Sequence, residues 1–171
     1  MGTYVALLRA VNVGGTGRLP MADLRSMCVE LGFRDVETYI ASGNVFFTSP
    51  GGAASVKAKL EARLQVYAGK PVGVVVRSAA EMTAILEANT FRTAEPNKTY
   101  VVFLDAPPPH DALERATGLV DEEMHLGKRE IYVVYPQGMG RSKLNVPAAK
   151  AGTARNVNTV IALVEILSRK Q

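Results

Sequence analysis

Residues 4–11 are apolar almost without interruption, a stretch too short for most helices and closed by Asn12 and glycines. That pattern predicts a central strand buried on both faces. Pro20 stands where a helix can start, and Leu24, Met27, Cys28 and Leu31 then recur on one helical face until Gly32 stops the run. Two strand-like runs, 36–41 and 45–48, flank Ser42-Gly43-Asn44, which reads as a hairpin turn. A helix is expected over 53–68, with Val56, Leu60, Leu64 and Tyr67 inward and Gly69 at its end, followed by a β-branched strand over 72–76. The order is β-α-β-β-α-β, the split βαβ of ferredoxin-like sandwiches. Ser78-Ala79-Ala80-Glu81 then forms a capping-box pattern ahead of Met82, Ile85 and Leu86 on a third helix.

Residues 89–97, with Pro96, mark the best boundary, so the expected halves are 1–90 and 91–171. Beyond it the order partly repeats. A strand over 99–104 precedes three prolines and a helix around 111–117, and strands follow near 124–126 and 131–135. A last helix is expected over 154–168, with Val157, Val160, Ile161, Val164 and Leu167 as its core face. The predicted fold is α+β: two ferredoxin-like halves, the second incomplete, with antiparallel sheets covered by helices. It reads as a duplication of element order, although no residue-level repeat is visible.

Composition narrows the classes. With 47% hydrophobic and 21% charged residues the chain is globular rather than disordered. Its single cysteine excludes an internal disulfide and fits a reducing compartment. No run approaches the roughly 20 apolar residues of a membrane helix, and no basic segment precedes the first apolar run. A cytoplasmic protein with no membrane partner is the expectation; oligomeric state is not legible.

The net charge of +4 is mild, but its distribution is uneven. Residues 91–123 carry three cations against seven acids, and residues 124–171 carry eight cations against two acids. Between Ile131 and Val164 there is no carboxylate, yet Arg141, Lys143, Lys150 and Arg155 all fall there.

Nucleophilic and metal chemistry find little support. The only histidines are His110 and His125, neither spaced with Cys28 as a metal site. Cys28 reads as core, His110 as a loop residue and His125 as a surface residue on a strand. No catalytic or nucleotide-loop motif is present, and no cofactor is implied. The loop from Asn12 to Arg18 contains glycines whose amides can receive an anion, or which simply make a flexible connection. Arg9, inside an apolar strand, needs a partner, either a carboxylate such as Asp23 or Glu37 or a ligand. Ser42 and Asn44 read first as turn residues and second as hydrogen-bonding groups at the sheet rim. The Gly138–Leu144 loop presents Arg141 and Lys143, either to phosphate or to solvent. Arg155 and Asn156 fall in the expected first turn of the last helix, where a cation is disfavoured by roughly 0.3–1 kcal/mol and calls for compensation. An RNA-recognition platform is weakly supported: the adjacent Phe46 and Phe47 point to opposite faces, and the stacking motif is missing.

Residues 4–15, Pro20-Met-Ala-Asp-Leu24, Leu31-Gly-Phe33, Thr38-Tyr-Ile-Ala-Ser-Gly-Asn-Val45 and Thr153-Ala-Arg-Asn156 with Thr159 together resemble the bacterial domain of unknown function 1697. That family tends to have Gly where Ala10 stands, Ile at Val11 and Trp at Val157. The resemblance implies an α+β protein with two ferredoxin-like halves, and it implies no activity.

The leading functional expectation is binding of a small anionic or phosphorylated ligand, nucleotide-like, in a basic pocket between the halves. Arg9, Asn12, Arg18, Ser42 and Asn44 would form one side of it, and Arg141, Lys143, Arg155 and Asn156 the other. The alternatives are a nucleic-acid binder using the basic C-terminal segment and a structural or protein-interaction module without ligand. Enzymatic activity is left open.

Overall fold

The structure, a computed structural model, describes residues 1–10 and 18–170. Among the described residues are two four-stranded antiparallel sheets and four α-helices, an α+β fold. The chain divides into two compact units, Met1–Met82 with Leu163–Gln171, and Thr83–Ala162.

The first unit contains β1 (Gly2–Leu8), α1 (Met21–Glu30), β2 (Arg34–Thr38), β3 (Asn44–Ser49), α2 (Ala53–Ala68) and β4 (Val74–Ser78), followed by the start of α3 (Ala79–Glu87). This is the β-α-β-β-α-β order read from the sequence. The sheet runs β2-β3-β1-β4, with each neighbouring pair antiparallel. Val5, Ala6, Leu7 and Leu8 of the inner strand β1 are all fully buried, so the apolar run there reflects a strand covered on both faces. Ala6 and Leu8 join Val45, Phe47, Val74 and Val76 in one apolar layer with Leu24, Met27 and Cys28 of α1 and Val56, Leu60 and Leu64 of α2. Phe33 stacks on Phe47 with ring centroids 4.3 Å apart. Each large side chain withdrawn in this way contributes about 1.5–3 kcal/mol.

Local signals held well in this unit. Helix α2 has the expected bounds, and Gly69, at φ 72°, ends it by returning its N–H to the Gln65 carbonyl. The capping box forms: Glu81 N–H donates to Ser78 Oγ at 3.1 Å, and Ser78 N–H donates to Glu81 Oε1 at 2.9 Å. Two readings shift. Tyr67 is 40% exposed rather than inward, and the turn between β2 and β3 occupies residues 39–43, with Asn44 already inside β3.

The second unit contains β5 (Thr99–Phe103), β6 (Glu123–Leu126), β7 (Glu130–Val134), β8 (Thr153–Asn156) and the start of α4 (Val157–Arg169). Its sheet order, β6-β7-β5-β8, matches that of the first sheet strand for strand. Val102, Leu104, Ile131, Val133 and Val146 form its apolar layer. Tyr132 donates its hydroxyl to the Ile85 carbonyl at 2.7 Å.

Three expectations are corrected here. Residues 111–117 make turns rather than a helix. Thr117 and Asn145 exchange backbone N–H and carbonyl groups at 2.9 and 2.8 Å, and this bridge draws the chain away after one turn. The last helix begins at Val157, because Asn156 Oδ1 accepts the Thr159 N–H at 2.9 Å and so caps it. Residues 153–156 are instead a strand that pairs with β5. The buried face of α4 is Val157, Val160, Leu163, Ile166 and Leu167, while Ile161 is 37% exposed. Asn158, Glu165 and Arg169 share one side of this helix. The apolar arc opposite them is wide enough to take in both Ile161 at one edge and Ile166 at the other, and the covered part lies toward Leu163 and Ile166.

Candidate functional site

Arg9 follows β1 directly and keeps its pairing geometry for one more residue: its N–H donates to the Gly73 carbonyl at 2.9 Å. Its side chain runs over Gly73, where an added Cβ would stand 3.5 Å from Arg9 Cδ. Ala10 comes next at φ 53°, a left-handed conformation that costs a side-chain-bearing residue roughly 1–2 kcal/mol. On the neighbouring side α2 ends, with Leu64, Tyr67 and Ala68 on one face at i, i+3 and i+4. After Gly69 the chain turns through Lys70 and Pro71 toward β4.

These segments enclose a cleft of about 520 Å³ lined by Arg9, Arg18, Lys70, Tyr67 and a floor that includes Leu19 and Leu64. Leu19 and Leu64 are buried, whereas Arg9 and Arg18 are exposed. Among the described lining residues there are three cations and no carboxylate. Tyr67 donates its hydroxyl to Asp23 Oδ2 at 2.7 Å, and that hydrogen bond raises the phenol above its ordinary pKa.

Arg141 and Lys143 line a different cleft, of about 430 Å³, within the second unit. Its charges are mixed, because Asp121 and Glu122 share the lining. Glu122 accepts the Ser142 hydroxyl and the Val120 N–H, and these bonds hold its carboxyl below the usual range. The loop is held tightly. Gly118, at φ 75°, leaves only 2.2 Å between a built Cβ and the Lys143 carbonyl oxygen, so no side chain fits there.

The remaining predicted residues lie elsewhere. Asn12 is outside the described residues. Ser42 and Asn44 line neither cleft; Asn44 is fully buried and donates to the Tyr39 carbonyl at 2.9 Å and to Ser42 Oγ at 3.0 Å. Arg155 is on β8 rather than in a helix, opposite Val101, and is only 7% exposed. Its Nη1 donates to Thr153 Oγ1 at 2.7 Å and to the Ala154 carbonyl at 2.9 Å. Burial lowers its guanidinium from 12.5 to about 10, which leaves it charged at neutral pH. Asn156 is occupied as the helix cap.

Other chemistry stays quiet. Cys28 is buried, and burial pushes its thiol up to about 12. His125 is half-buried rather than a surface residue, stacked on Tyr132 with centroids 4.3 Å apart. No group of three metal-ligating side chains occurs among the described residues. No described helix is long and apolar enough to cross a membrane.

Sequence reasoning missed Lys70 and misplaced Tyr67. A signal existed in Gly69-Lys70-Pro71: a helix stop followed at once by a cation and a proline fixes a lysine beside the helix end.

The family described as "protein of unknown function (DUF1697)" matches residues 1–132. Among solved structures, a conserved bacterial protein, SP0830 from Streptococcus pneumoniae, is similar at a TM-score of 0.81 and 29% identity. That similarity covers 97% of this chain and 98% of the other. No curated protein matches the chain.

Proposed function

The chain belongs to the DUF1697 family of proteins of unknown function, and we propose from its own side chains that it binds a small phosphorylated molecule in the first-unit cleft. The observation that carries this is the lining: Arg9, Arg18 and Lys70 around an apolar floor, with no carboxylate among the described residues. Cations that share a partly desolvated concavity favour an anion more than scattered surface charges do. The second-unit cleft is the weaker candidate, since Asp121 and Glu122 offset Arg141 and Lys143. The nucleic-acid alternative loses ground as well. Of the eight cations after residue 123, Arg155 is internal and Lys170 is held by Asp35 and Glu37 at 3.2 Å each.

Thermal-shift titration with phosphorylated metabolites and inorganic phosphate tests this. The expected result is stabilisation that weakens roughly ten- to a hundredfold in apparent affinity for Arg18→Ala and for Lys70→Ala, since each removes a charge-assisted contact of about 1.5–3 kcal/mol. Arg141→Ala should leave it unchanged. Loss on Arg141→Ala with no effect of Arg18→Ala or Lys70→Ala would overturn the assignment.

A further inference from the structure

We infer that the ligand of the first-unit cleft is a nucleoside monophosphate whose base stacks on Tyr67, with little discrimination among bases. This rests on the phosphorylated-ligand reading above and adds to it the chemistry of the remainder of the ligand. The described lining is Arg9, Arg18 and Lys70 with Tyr67, Pro71 and aliphatic or glycine positions. Those residues include no Ser, Thr, Asn, Gln, Asp, Glu or His side chain. A nucleotide and a sugar phosphate share the sugar hydroxyls, so these do not tell the two apart; the base does, because its planar faces can cover a flat apolar surface.

Tyr67 supplies one. Its ring is part-exposed at the cleft, anchored at one end by α2 and at the other by the hydroxyl bond to Asp23 at 2.7 Å. A ring fixed at both ends loses little freedom when a base covers it. Leu19, Leu64 and Pro71 extend the apolar wall, and the volume of about 520 Å³ falls within the range of small-molecule sites. Because every base has a π-face, stacking without polar edge contacts is tolerant of base identity. The three cations then take the phosphate.

Isothermal titration of the full chain with inorganic phosphate, ribose 5-phosphate and the four nucleoside 5′-monophosphates tests the inference. Nucleotides should bind at least about tenfold more tightly than ribose 5-phosphate, and the four should lie within about tenfold of one another, purines tightest. Tyr67→Leu, checked for folding by its melting transition, should erase the gap between nucleotides and ribose 5-phosphate. Tyr67→Phe should retain most of it. If ribose 5-phosphate binds as well as the nucleotides in the unaltered protein, the base-stacking inference fails while the phosphorylated-ligand reading stands. If neither phosphate nor any phosphate ester binds, both fail.

Discussion

The Tyr67 hydroxyl donates to Asp23 Oδ2 across 2.7 Å, joining the last turn of α2 to the first turn of α1. The bond prefers the protonated phenol, so Tyr67 holds its proton more tightly in the folded state. Its contribution to stability is therefore complete below the ordinary tyrosine range near pH 10 and disappears as pH rises through the raised value. Ultraviolet titration of tyrosinate should show Tyr67 ionising late, together with Tyr132 and Tyr135, which burial raises as well. Asp23→Asn, which removes the negative charge, should bring Tyr67 back toward the ordinary range; an unchanged titration would show that the bond does not govern Tyr67.

Asn44 decides the turn ahead of β3. Fully buried, it donates Nδ2 to the Tyr39 carbonyl and to Ser42 Oγ. Asn44→Ala removes the donor from the Tyr39 carbonyl and should cost about 1–3 kcal/mol in urea denaturation. Asn44→Asp should cost more, because a carboxylate would face those same oxygens with nothing to donate. Equal stability of the two variants would contradict this.

Turn and cap chemistry explains why so much of the first unit was legible. The Ser78–Glu81 box, the Gly69 stop and the Asn44 turn are all closed by partners within a few residues, and the sequence displays such partners directly. The cleft was legible only in part. Arg9 and Arg18 drew notice because cations beside an apolar strand and a glycine loop are conspicuous, whereas Tyr67 looked like one more apolar helix position. Arg155 failed for the opposite reason. A four-residue strand carries almost no periodicity, and β8 exists because β5 offers it an edge, a relation fixed by tertiary pairing rather than by local pattern.

Ile40 lies in the β2–β3 turn at φ 49°, although it is β-branched and about half exposed. The left-handed conformation is especially unfavourable for such a side chain, and little apolar burial offsets it here. Ile40→Gly should raise stability by about 1 kcal/mol, seen as roughly 2–4 °C in the melting temperature. Strained turns also occur where a ligand is gripped. A stabilised variant with unchanged nucleotide affinity would show that this strain serves no binding role.

Cys28 should be chemically silent in the folded protein. Its thiol ionises near 12 when folded against 9.0 for the reference group. Unfolding therefore releases a proton only above about pH 9, and the corresponding stability is present below that pH and lost as pH climbs toward 12. At pH 8 a disulfide exchange reagent should modify Cys28 at a rate set by opening of the fold, at least about a hundredfold slower than in concentrated urea. Rapid labelling of the native protein would show that α1 does not seal the thiol.

Arg155 and Arg141 separate an internal guanidinium from an exposed one. The first is bound along β8 by Thr153 Oγ1 and the Ala154 carbonyl, and it is almost wholly covered. Arg155→Ala leaves both oxygens without that donor and opens a void, so it should lower stability by about 2–4 kcal/mol. Arg155→Met, which keeps an unbranched stem of similar length, should recover part of that loss by filling the space. Arg141 is exposed at the rim of the second-unit cleft, and Arg141→Ala should change stability by no more than about 0.5 kcal/mol. Chemical denaturation of the three variants checks this. If Arg155→Ala were as stable as Arg141→Ala, its guanidinium would be dispensable to the sheet and would have to be kept for a ligand instead.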